Sequence, residues 1–155
     1  MKLTILAIGQ RQPRWADDAV AEFLGRFPAD FAVTLHELKP EVRRAQPVER
    51  ILATEGQRLR AAVPAGSLLV ALDEKGRDCT TAEFAETIRR WRDAAETVCF
   101  AIGGPDGLDP ALKRDARWVM RLSSLTLPHA LARVLLVEQL YRAWSVLANH
   151  PYHRA

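Results

Sequence analysis

Between Ser67 and Gly104 the chain reads SLLVALDE, then TTAEFAETIRRWRDA, then TVCFAIGG, and this succession limits the possible folds more than any other feature. The outer stretches are unbroken apolar runs, the pattern of strands buried on both faces. The middle stretch sets Phe84, Ile88 and Trp91 on one side of a helix. Strand, helix, strand at this spacing is a βαβ unit, which implies a parallel sheet covered on both sides.

The remaining segments extend the pattern. LTILAIG (3–9) is a further buried strand; Pro13 can open a helix carrying Trp15, Ala19, Phe23 and Phe27 on one face, and FAVTLHEL (31–38) alternates as a second strand. KPEVRRAQP (39–47), with two prolines and no apolar period, reads as a mobile basic connection. It leads into a helix with Ile51, Leu52, Glu55, Leu59 and Ala62 along one side. A short polar helix (109–115) precedes a last strand in WVMRLSSLTL (118–127) and a long closing helix. The expected architecture is a single α/β domain over 1–155, with a parallel-rich sheet of about five strands and helices on both faces.

The closing helix carries Leu131, Val134, Leu135, Leu136, Val137, Leu140, Tyr141, Trp144, Val146 and Leu147, which leaves almost no polar face. One small sheet covers only one side of a helix, so a two-fold dimer is expected to cover the rest; full burial within the chain is the alternative. Glu138 and Arg142, four apart in favourable order, suit an intrahelical ion pair.

Composition excludes several classes. The chain has two cysteines and no cluster at zinc-ligand spacing, so neither a disulfide framework nor a metal site is expected. No segment has the length of a membrane span and no secretory signal is visible, so a cytoplasmic location is expected. The net charge of +3 suits a polyanionic partner without requiring one. Arg outnumbers Lys 18 to 4, a bias that fits phosphate recognition and equally a GC-rich genome.

In parallel sheets ligands gather at the carboxyl ends of strands. Three such ends are notable. In IGGPDGLD (102–109), Gly103 and Gly104 bare the backbone, and Pro105, Asp106 and Gly107 suit a tight turn, so a flat ligand can press against it; a plain turn is the alternative. ALDEKG (71–76) turns acidic at Asp73 and Glu74, which exposure alone explains. In LSSLTLPH (122–129), Pro128 holds the chain extended, and its amides and carbonyls are placed to read a purine edge between Leu122, Leu125 and Leu127. The signatures GxGxxG, GxxxxGK[ST], GxSxG and HExxH are absent, which argues against ordinary dinucleotide, P-loop, serine-hydrolase and zinc-protease sites.

Together, IGGPDG, LSSLTLPH, the opening MKLTILAIG and the ending YRAWSVLANHPYHR resemble the small SPOUT-class methyltransferases that modify N3 of a pseudouridine in large-subunit (23S) ribosomal RNA, over essentially the whole chain. The resemblance implies a C-terminal deep trefoil knot, a homodimer, and S-adenosylmethionine held by Leu72, Gly103, Gly104, Leu122, Ser123, Ser124, Leu125, Thr126 and Leu127. It further implies that the tail completes the partner's pocket for a base in ribosomal RNA, with Tyr152 stacking and His153 and Arg154 contacting phosphate or carbonyl oxygens. His129 or His153 is then the general base, unless solvent takes the proton, and Arg142 either serves the substrate or pairs with Glu138. A non-catalytic RNA-binding dimer of the same fold and a flavodoxin-like nucleotide binder are the competing readings.

Overall fold

The computed structural model describes residues 1–154. Five strands, β1 (Lys2–Ile8), β2 (Ala32–Leu38), β3 (Leu68–Arg77), β4 (Val98–Ile102) and β5 (Trp118–Met120), form one sheet in the order β2-β1-β4-β3-β5. Every pairing is parallel, so all strand ends that carry loops of interest lie on one edge. The helices are α1 (Arg14–Leu24), α2 (Val48–Ala62), α3 (Thr81–Asp93), α4 (Pro110–Asp115) and α5 (His129–Leu147), followed by a 3₁₀ turn over Pro151–Arg154.

Strand alternation divides the core in two. Leu3, Ile5, Val98 and Phe100 face α1, α3 and α5, packing on Val20, Phe84, Ile88, Leu136 and Leu140. Leu6, Ile8, Cys99 and Ala101 face the other way, onto Leu59 of α2 and Leu112 of α4. The helix starts follow local chemistry: Thr80 and Glu83 close a reciprocal capping box on α3, and Asp109 caps α4 ahead of Pro110.

Two boundaries differ from expectation. β3 continues to Arg77, three residues past the acidic turn expected at 73–74, because Gly76 lets it run against Met120; a Cβ there would lie 2.5 Å from the Met120 carbonyl carbon. β5 stops at Met120, and residues 121–127 of the expected strand are irregular. Ser123 Oγ accepts the Leu125 amide at 2.9 Å, a local bond that competes with the sheet ladder. The connection 39–47, expected to be mobile, is tied down: Arg43 bonds Asp106 at 3.0 Å, the Glu41 amide donates to Glu55 at 3.0 Å, and Arg58 donates to the Lys39 carbonyl at 3.0 Å.

Candidate functional site

The second half of β3 and the loops after β4 and β5 line a cavity of about 550 Å³, a size that suits a nucleoside-sized ligand. On one wall, the Gly107 amide donates to the Gly104 carbonyl at 3.0 Å and closes the expected turn. Gly103 has no room for a side chain, since a Cβ would stand 2.2 Å from the Gly107 carbonyl oxygen. Leu122, Ser123, Leu125 and Leu127 form the facing wall, and Leu125 is 73% exposed at the mouth. Leu72 and Ile102 supply further apolar lining.

Of the residues expected to hold the cofactor, Leu72, Gly103, Gly104, Leu122, Ser123, Leu125 and Leu127 line this cavity. Ser124 and Thr126 do not; both are exposed, because side chains alternate along an extended segment and these two lie on the outer side. Sequence reasoning missed Lys113, Arg121, Leu52 and Leu108, which also line it. Lys113 Nζ bonds Asp73 at 2.9 Å, so one of the two acids of β3, Asp73 and not Glu74, is paired from α4. The two basic residues in the last turn of α4 were the available signal.

His129 lines the cavity at the start of α5. Arg133 Nε donates to its Nε2 at 2.8 Å, so the ring hydrogen sits on Nδ1, toward the Gly103 backbone. Burial, then the Arg133 charge, pulls the His129 pKa down to about 4 despite that backbone bond. A weakly basic imidazole with its lone pair already bonded is a poor proton acceptor. Arg133, 2% exposed, also bonds the Gly9 carbonyl at 2.6 Å, the Ile8 carbonyl at 3.3 Å and Glu37. It thereby pins the ends of β1 and β2 to the cavity wall.

The other four expected site residues lie elsewhere. Arg142 is thirteen residues beyond His129 on α5, about 20 Å along the axis. Its guanidinium bonds Glu138 at 2.7 Å, the ion pair expected from spacing, and lies 4.9 Å from the Tyr152 ring centroid. Tyr152 donates from its hydroxyl to Glu138 at 2.9 Å, and its ring packs edge-on to Tyr141 at 4.7 Å. Burial, then the Glu138 carboxylate, raises the phenol pKa and keeps it protonated. Ser145 Oγ donates to the His150 carbonyl at 2.8 Å and accepts the His153 amide at 3.0 Å. Its single proton is thus engaged, so the 2.9 Å contact with His153 Nδ1 has the imidazole as donor and leaves Nε2 as the lone pair. Arg154 is exposed, 3.4 Å from Asn149 Oδ1. None of the four touches the cavity of its own chain.

The family model described as "Predicted SPOUT methyltransferase" matches residues 1–153. The chain belongs to the SPOUT methyltransferases. The methyl donor of this family is S-adenosylmethionine, and the cavity fits it: a bared glycine backbone for a flat ring system, apolar walls, and a mouth at the strand ends. The chain is 51% identical to "Ribosomal RNA large subunit methyltransferase H" of Bordetella avium (strain 197N), over 100% of both chains. It is 54% identical to the protein of the same name from Neisseria gonorrhoeae (strain NCCP11945), over 99% of both. Among solved structures, a probable methyltransferase from Bordetella pertussis Tohama I superposes with a TM-score of 0.52 at 18% identity, over 91% of this chain and 95% of that one. A putative methylase family protein from Neisseria gonorrhoeae gives 0.52 at 11% identity, over 96% and 93%. These two likenesses concern the fold alone. Among the described residues no helix is long and apolar enough to cross a membrane, and no three metal-binding side chains cluster.

Proposed function

We propose that this methyltransferase acts on N3 of a pseudouridine in large-subunit ribosomal RNA, in the assembled ribosome of the cytoplasm, as a knotted homodimer whose tail completes the partner's site. One observation carries the composite site: the cavity and the tail stand at opposite ends of α5, so the two meet only if a second copy brings its tail across. Exposed apolar side chains on that helix, Leu131 at 36% and Val146 at 41%, support the pairing. The names of the full-length relatives support the RNA substrate.

In this reading Leu72, Gly103, Gly104 and the inward residues of 122–127 hold the donor, which supplies an electrophilic methyl group on a sulfonium. Arg133 and His129 keep the Gly103 wall in register. From the second copy, Tyr152 orients the base, and Arg142 and Arg154 face the two carbonyl oxygens onto which charge spreads when the imide nitrogen loses its proton. The Nε2 lone pair of His153 takes that proton. Alignment of nitrogen and methyl at near-attack distance then provides much of the rate. The test is transfer from labelled S-adenosylmethionine to intact ribosomes and to naked ribosomal RNA, followed by mapping of the product. Label on N3 of one pseudouridine, favoured in ribosomes, is expected. Cofactor binding without transfer to any ribosomal RNA overturns the reading.

A further inference from the structure

A second concavity, of about 640 Å³, opens on the far side of β3 and β5, against α3. Its aromatic side is Trp91 and Trp118, half-buried and packed edge to face at 6.1 Å. Arg77, Arg90 and Arg117 line it, all exposed, and none has an ion-pair partner among the described residues. The acids around them are already engaged. Asp78 accepts two bonds from Arg121, one at 2.6 Å, which hold its carboxyl below the usual range. Glu86 is bonded by Arg89, and Glu83 caps α3 through the Thr80 amide at 2.7 Å. With Asp78 paired to Arg121 and Glu86 to Arg89, three guanidinium groups without an ion-pair partner, one of them bonded to the Thr87 hydroxyl at 3.2 Å, outweigh the remaining Glu83 carboxylate, and the groove keeps a surplus of positive charge.

Catalysis does not explain this groove. Its one nucleophile, Cys79, is driven above its ordinary pKa by burial and then by the Glu83 and Asp78 carboxylates, so it stays a thiol. Guanidinium forks without an ion-pair partner on a protein surface are instead the chemistry of phosphate recognition, where bidentate geometry and counterion release both favour Arg. The position matters as well. Arg121 lines the methyl-donor cavity while bonding Asp78 of the groove, so one ion pair divides the two concavities. The Arg121 amide also donates to the Arg77 carbonyl at 3.1 Å, which fixes Arg77 at that divide.

We infer that this groove docks the phosphate backbone of the substrate RNA beside the modified nucleotide, an inference that rests on the ribosomal RNA reading above. Phosphates here would position the strand, and the cavity would select the base.

The test is the triple variant Arg77→Gln/Arg90→Gln/Arg117→Gln, in which only exposed side chains change. The expected result has three parts: cofactor affinity and thermal midpoint within twofold and a few degrees of wild type, KM for ribosomes raised about tenfold or more, and a log–log salt slope of RNA binding shallower by about 2 to 3. The single variant Arg90→Gln should shift that slope by about 1. Unchanged KM and salt slope in the folded triple variant overturn the groove. So does weaker binding to ribosomes with unchanged binding to protein-free RNA, which would assign the groove to a ribosomal protein. If the wild-type protein transfers no methyl group to ribosomal RNA, the functional reading fails instead; filter binding of an RNA helix by wild type and triple variant still decides the groove.

Discussion

The two ends of α5 each carry an arginine and an imidazole, and they treat them in opposite ways. At the N-terminal end, Arg133 is 2% exposed and bonded to Glu37, to two strand-end carbonyls and to His129, whose acceptor nitrogen it occupies. At the C-terminal end, Arg142 and Tyr152 share Glu138, Arg154 is exposed, and His153 keeps its acceptor nitrogen. Both imidazoles carry hydrogen on Nδ1, yet only one retains a lone pair for chemistry. The difference teaches that the first end is bonded to completion within one chain, whereas the second keeps unbonded groups, which the proposed composite site would use.

The sharpest way to break this comparison is to remove the tail. Deleting Tyr152 to Ala155 should lower methyl transfer to ribosomes by about 10²- to 10³-fold or more, the scale of losing groups that stabilise developing charge. Calorimetry should find cofactor affinity within a few fold of wild type; equal loss of both would make the tail structural. Next in size is Gly103→Ala, which sets a Cβ 2.2 Å from a backbone oxygen. Overpacking of this kind costs about 1–3 kcal/mol. Because the strained turn is the cavity wall, calorimetric cofactor affinity should fall by about 10²-fold while the mass in solution, followed by light scattering, stays that of the wild type.

Replacing Arg133 by Met should cost about 2 kcal/mol in urea unfolding, since Glu37 and His129 lose a charged donor but Glu37 can still meet water. The His129 resonance followed by NMR should then titrate at higher pH, because a lowering charge has gone. Ser145→Ala, which frees the His150 carbonyl and the His153 ring, should cost about 1 kcal/mol and lower transfer rate without affecting cofactor binding. At neutral pH the smallest expected effect is that of His129, which shows only as the pH is lowered. His129 titrates at about 4 in the folded protein against 6.5 ordinarily, so the unfolded chain binds more protons between those values. Its contribution is complete above about 6.5 and declines as pH falls toward 4. His129→Gln should flatten that part of the stability profile; an unchanged slope would mean the ring is not held neutral.

Much of this is legible in the sequence. Apolar runs at βαβ spacing dictated the parallel sheet, because a strand buried on both faces leaves no other arrangement for its neighbours. The bared glycines and the proline-stiffened 122–128 segment marked both cavity walls, and the Glu138–Arg142 pair followed from helical spacing alone. These are local properties of a few consecutive residues. Three things depended on distant residues meeting. Met120 backing onto Gly76 prolongs β3, Arg133 reaches 124 positions back to Gly9 and ties β1 to the start of α5, and Arg121 meets Asp78 to divide cavity from groove. Whether a side chain has a free lone pair or an unpaired charge is set by what the fold brings beside it, and no window of sequence contains that partner.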